Sequence, residues 1–169
     1  RMADKQQMRL YKAEAELKSE PEFVTVAECQ KYINNLLAKK SVIKKFGNFE
    51  ITVRDGRGYR RATAMSYYGQ PIIQLPKWAR TRYVILHEVA HHLQRKFETV
   101  KIGQPEIAYQ GHGARFVATL LWLVKLELGQ AKHDILCAQF HYHNIKTMDS
   151  GRVVSVSLPA SHRVEGQTA

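Results

Sequence analysis

Two cysteines in 169 residues leave little material for a disulfide framework. Cys29 and Cys137 stand far apart and outside any CxxC pattern, which also speaks against a cysteine zinc finger or ribbon. Both read as buried free thiols in a reducing cytoplasm. Apolar runs are short, and none approaches the roughly 18–20 residues of a membrane span, so no membrane partner is expected. The first twenty residues are polar and carry both charges, without the apolar run of a signal peptide. Acidic residues are scarce, 15 against 26 lysines and arginines, for a net charge of +11. That imbalance favours acidic partners, nucleic acid among them. No repeat or low-complexity tract organises the chain. Its length suits one domain, expected over residues 1–148, with 149–169 as an added strand or loose tail.

What is present reads as an α+β protein. Residues 3–19 are rich in helix formers. TVAECQKYINNLLAKK carries a capping box, Thr25 and Glu28, ahead of an apolar face of Val26, Cys29, Ile33, Leu36 and Leu37. FEITVRD alternates as a half-buried strand, DGRG turns the chain, and RRATAMSYYG and QPIIQLP read as two more strands. Pro71 and Pro76 bracket the last of these, which predicts an edge position for Ile72, Ile73 and Gln74. Helices are expected over about 81–97, 112–128 and 131–147, with Gly129 ending the second.

Charge is concentrated in residues 39–61. Lys39, Lys40, Lys44, Lys45, Arg54, Arg57, Arg60 and Arg61 face only Glu50 and Asp55, eight cations against two anions, or +6. The segment reads as a solvated face or as a nucleic-acid patch without a reader motif.

The chemistry lies in YVILHEVAHHLQ, residues 83–94. His87-Glu88-Val89-Ala90-His91 is an HExxH. On a helix the two histidines share a face and can meet at one zinc ion. Glu88, one step round, can reach a water without binding the metal, as a general base must. A chain of this composition would contain the pattern by chance roughly 0.02 times. Two imidazoles and a carboxylate among Val84, Ile85, Leu86, Val89 and Leu93 also need a partner that satisfies them.

A catalytic zinc takes a third protein ligand. HExxHxxGxxH fails, because Gln94 and Phe97 occupy its last positions. Glu98, Glu106 and Glu127 are alternatives. The better candidate is His112 in GHGARF, 21 residues after His91, flanked by glycines and on the face of Phe116, Leu120 and Leu123. His92 faces about 100° away from His91 and reads as a supporting or surface residue. His133, His141, His143 and His162 show no metal spacing among themselves and read as structural or exposed. Tyr109 and Arg115 are oxyanion candidates by proximity alone and read more simply as packing or surface residues.

HEVAHHL followed by GHGARF resembles the SprT-like branch of HExxH zinc metallopeptidases. More narrowly, it is similar to a small group of metallohydrolases from actinobacteria and their phages. The resemblance covers roughly residues 45–130. It implies a zincin-like fold, a small mostly antiparallel sheet packed on the HExxH helix, with Zn2+ held by His87, His91 and His112 and Glu88 as base. It also implies an edge strand before that helix that pairs with a peptide or protein substrate, the place of Ile72, Ile73 and Gln74. The cysteine ribbon that many SprT-like proteases carry is missing.

Three readings follow. The first is a zinc-dependent hydrolase, in the main a metallopeptidase. The second is a nucleic-acid-binding protein with a structural zinc, or a metal-dependent hydrolase acting on nucleic acid or DNA-bound protein. The third is a metal-free scaffold.

Overall fold

Thr25 and Glu28 form the capping box that their spacing predicts. Glu28 N donates to Thr25 Oγ1 over 3.1 Å, and the Glu28 carboxylate accepts from Thr25 N at 2.9 Å and Val24 N at 2.7 Å. Such a cap gives partners to backbone donors that the helix start would otherwise leave unpaired. The computed structural model describes residues 4–94, 97–99, 106–108 and 111–166, with 97–99 and 106–108 by backbone alone. These residues form two compact units, one of 4–18 with 111–166 and one of 19–94 with 97–99 and 106–108. The fold is mixed α+β.

In the 19–108 unit, α1 spans Val26–Leu37 and buries Cys29, Ile33, Leu36 and Leu37, the predicted apolar face. A second helix, α2, Lys40–Phe46, lies where no helix is expected from the sequence; only Val42 of it is fully buried. A five-stranded sheet follows: β1 (Thr52–Asp55), β2 (Thr63–Tyr67), β3 (Gln70–Leu75), β4 (Phe97–Thr99) and β5 (Glu106–Ala108). Its order is β1-β3-β2-β5-β4, and only the β1–β3 pair is parallel.

This order corrects the expected edge. β3 lies inside the sheet, with β1 on one side and β2 on the other. Ile72 and Ile73 are buried, and Gln74 pairs with Arg54 and Thr63. The prolines mark strand ends instead. Pro71 pairs with Ser66 of β2 but precedes the first residue paired to β1, so its missing N–H costs no ladder bond there. The outer edge of β1 is itself covered: Gln30 Nε2 donates to Ile51 O at 2.8 Å, and Gln30 Oε1 accepts from Val53 N at 2.8 Å. One amide thus stands in for a neighbouring strand. Helix α3, Arg82–Gln94, packs on β2 and β3.

In the other unit, α4 is Gln7–Ala13, followed by a 3₁₀ turn at Glu14–Leu17, and both pack on α5, Ala114–Tyr142. Gly129 interrupts α5 with φ 87° and ψ 172°, a conformation that other residues avoid, so the predicted stop occurs and a second helical stretch follows. That stretch ends at Tyr142, not 147, because Asn144 turns the chain at φ 55°. A hairpin of β6 (Lys146–Asp149) and β7 (Arg152–Ser155) succeeds it. Val156 and Leu158 are buried beyond the hairpin. Among the described residues no helix is long and apolar enough to cross a membrane.

Candidate metal centre

Helix α3 starts from a fixed point. Arg80, buried, donates through Nη1 to Val24 O at 2.7 Å and through Nη2 to Asp55 Oδ1 at 3.2 Å. Thr81 Oγ1 then accepts from Val84 N at 3.1 Å, the usual N-terminal cap. From Ile85 to Leu93 every side chain of α3 is buried. A helix apolar all round is a core helix, and this one carries His87, Glu88, His91 and His92 within that stretch.

His87 and His91 share a face, their ring centroids 5.1 Å apart at 69°. His92 points elsewhere, as its angle predicts. Its Nε2 lies 2.8 Å from Ile72 O, so the ring donates to β3 and ties α3 to the sheet. Burial pushes this imidazole down to about 4, partly opposed by the Ile72 carbonyl, which keeps it neutral.

His112 precedes α5, and the glycines beside it shape its setting: Gly113 is the helix N-cap, whose carbonyl accepts from Val117 N at 3.1 Å. The ring meets Tyr11 and Phe116 edge-on, each with centroids 5.1 Å away. Asp4 holds it on two sides, its Oδ2 2.6 Å from His112 Nδ1 and 3.1 Å from His112 N. Burial raises the Asp4 carboxyl, but the hydrogen bond and charge of His112 outweigh it and leave the group below its ordinary value. Gln6 completes the clamp: Nε2 donates to His112 O at 2.7 Å and Lys146 O at 3.2 Å, and Oε1 accepts from Lys146 N at 2.9 Å.

A carboxylate accepting from Nδ1 fixes the tautomer of His112 and leaves Nε2 with a lone pair. The three buried histidines His87, His91 and His112 could hold a metal ion. Asp4 and Gln6 went unnoticed in the sequence, and nothing in it marks them: 108 residues separate Asp4 from His112.

The remaining candidates divide. Arg115 is exposed on the first turn of α5, and Glu127 is half-buried further along it. Tyr109 and the side chains of Glu98 and Glu106 lie outside the described residues. His141 holds Val156 O at 3.0 Å through Nδ1, His143 caps the end of α5, and His162 is exposed. His133 pairs with Asp134 and lies beside Cys137. Compared with protein-family models, curated proteins and solved structures, the chain matches none.

Proposed function

We propose that the protein is a metal-dependent hydrolase, foremost a zinc metallopeptidase, whose metal is held by His87, His91 and His112 and whose general base is Glu88. The observation that carries this reading is the pair of preparations made for imidazole donors. His87 and His91 lie on one face of a buried helix, and His112 has its Nδ1 occupied by Asp4. The donor set fits the metal: three imidazoles and no thiolate match a zinc site that keeps a position open. The resemblance of HEVAHHL and GHGARF to SprT-like zincins supports peptide bonds as the target and a zincin-like arrangement as the frame.

Bound there, zinc supplies Lewis acidity toward a carbonyl and lowers the pKa of water. The chain's own residues do the rest. Glu88, beside His87 on α3 and buried, takes a proton from the attacking water and delivers it to the leaving amine. Asp4 keeps the proton on His112 Nδ1 and so keeps Nε2 a donor to the metal. His92 stays neutral on Ile72 O and holds the helix on its sheet.

The test is metal content of protein purified without added metal, with hydrolysis of an unfolded protein substrate, for the parent and Glu88→Gln. One zinc per chain in both, with turnover only in the parent, is expected. Equal turnover in the two would end the mechanism; no zinc even after its addition would end the metal assignment.

A further inference from the structure

The end of the sheet away from the β2–β3 turn gathers groups that lie apart in the sequence. β1 and β3 run parallel with Asp55 opposite Leu75, while β2 starts at the same end with Thr63 opposite Gln74. The loop 56–62 therefore crosses the end of β3, just where the 3₁₀ turn Lys77–Ala79 begins. Contact there is close. Gly56 N donates to Leu75 O at 3.1 Å, and a Cβ on Gly56 would sit 2.5 Å from Pro76 N.

The loop brings Arg57, Tyr59, Arg60 and Arg61, and the turn adds Lys77 and Trp78, all exposed. Tyr59 is 57% and Trp78 53% accessible, unusual exposure for large rings. The acid at this end, Asp55, is committed to Arg80 at 3.2 Å and to Arg57 N at 3.0 Å. None of Arg57, Arg60, Arg61 and Lys77 takes part in an ion pair among the described residues.

We infer that this sheet end, built from the 56–62 loop and the Lys77–Trp78 turn, binds single-stranded nucleic acid. Cations without counter-charges match a phosphate backbone. Exposed aromatic faces match unstacked bases, which a duplex keeps inside and an acidic polypeptide lacks. The surface is also preorganised: the Gly56–Pro76 approach and the Asp55–Arg80 pair fix loop and turn together before any ligand arrives. This surface belongs to the 19–108 unit alone and is independent of the metal reading.

The experiment is fluorescence anisotropy of a short labelled oligothymidylate titrated with the full chain at several salt concentrations. A duplex of equal length and an oligoglutamate serve as competitors. The expected result is preference for the single strand, with Trp78→Ala and Tyr59→Ala each weakening binding about tenfold or more. Trp78→Phe should retain most of the affinity, because stacking survives. The paired change Arg60→Glu and Arg61→Glu, at exposed positions, should lower the steepness of log Kd against log salt by roughly 0.7 per cation removed. Equal or tighter binding of duplex, affinity unmoved by the Trp78 and Arg60/Arg61 changes, or displacement by oligoglutamate as readily as by oligothymidylate would each overturn the inference.

Discussion

Helices α3 and α5 each carry a metal-capable pair at positions i and i+4, and the two pairs differ in what surrounds them. On α3, His87 and His91 sit within an unbroken run of buried positions, with Glu88 between them. On α5, Cys137 Sγ lies 3.6 Å from His133 Nε2, and His133 Nδ1 lies 3.1 Å from Asp134 Oδ1. Read as a list of residue types, the second group looks like a thiol, imidazole and carboxylate relay. Its environment says otherwise. Burial, with a smaller contribution from Asp134, pushes the Cys137 thiol up to about 11, so the nucleophilic thiolate is suppressed. Asp134 also accepts from Ser161 Oγ at 2.8 Å and Gln130 Nε2 at 2.7 Å, which makes it a staple for the end of the chain. Spacing nominates both pairs; the surroundings separate a site from a fastening.

The largest predicted effect breaks that comparison directly. Glu88→Gln should keep the metal and lower hydrolysis by about 10²–10⁴-fold. His91→Ala should lose the metal by elemental analysis, whereas the double change His133→Ala and Cys137→Ala should leave the stoichiometry intact. Loss of metal from the α5 double variant would show that the wrong pair had been chosen.

A finer contrast uses the two carboxylates that hold histidines. Asp4 lies 2.6 Å from His112 Nδ1, and Asp134 lies 3.1 Å from His133 Nδ1. Asp4→Ala should weaken metal affinity by about 10–100-fold, as removing a ligand's orienting partner does. Asp134→Ala should not change it. Competition against a chromogenic chelator measures both, and equal affinities in the two variants would remove Asp4 from the centre.

A smaller effect concerns His92, the neighbour that is no ligand. Replacing it with alanine leaves a buried carbonyl of β3, Ile72 O, without this donor. The expected loss is about 1–3 kcal/mol in urea unfolding, with metal stoichiometry retained. A variant as stable as the parent would deny the ring its role between α3 and the sheet.

These contrasts show where sequence reading succeeds. The capping box at Thr25, the stop at Gly129 and the buried helix over His87–His91 each depend on residues a few positions apart, so local chemistry decides them. Helix α2 escaped because KSVIKKF is only seven residues long and buries one of them fully, Val42, too short a stretch for an apolar period to be counted. The edge assignment of β3 failed because strand order is a long-range property: β1, some twenty residues upstream, joins it in parallel and covers that side. Asp4 is the sharpest case. Its partner is 108 residues away, and an aspartate beside a chain start carries no local mark of a histidine clamp. Lys77 and Trp78 escaped a reading of the basic segment for the same reason, since only the sheet's order brings them to the arginines of the 56–62 loop.

The last prediction tests the α5 group by pH. A buried thiol held at about 11 stays protonated in the folded chain through the range where an unfolded cysteine ionises. The sign follows from that difference. Below the ordinary thiol pKa both states bind the proton and the neutral thiol's contribution to stability is complete. Between that value and about 11 only the unfolded state loses it, so stability falls as pH rises. Cys137→Ala removes the titrating group, so its unfolding midpoint should drop less than the parent's across this alkaline window. At pH 8 the native parent should alkylate at Cys137 far more slowly than a free thiol, because little thiolate is present. Rapid alkylation of Cys137 at that pH, read by peptide mass, would mean that the thiol is activated. The α5 group would then stand as a second reactive centre beside the histidines of α3.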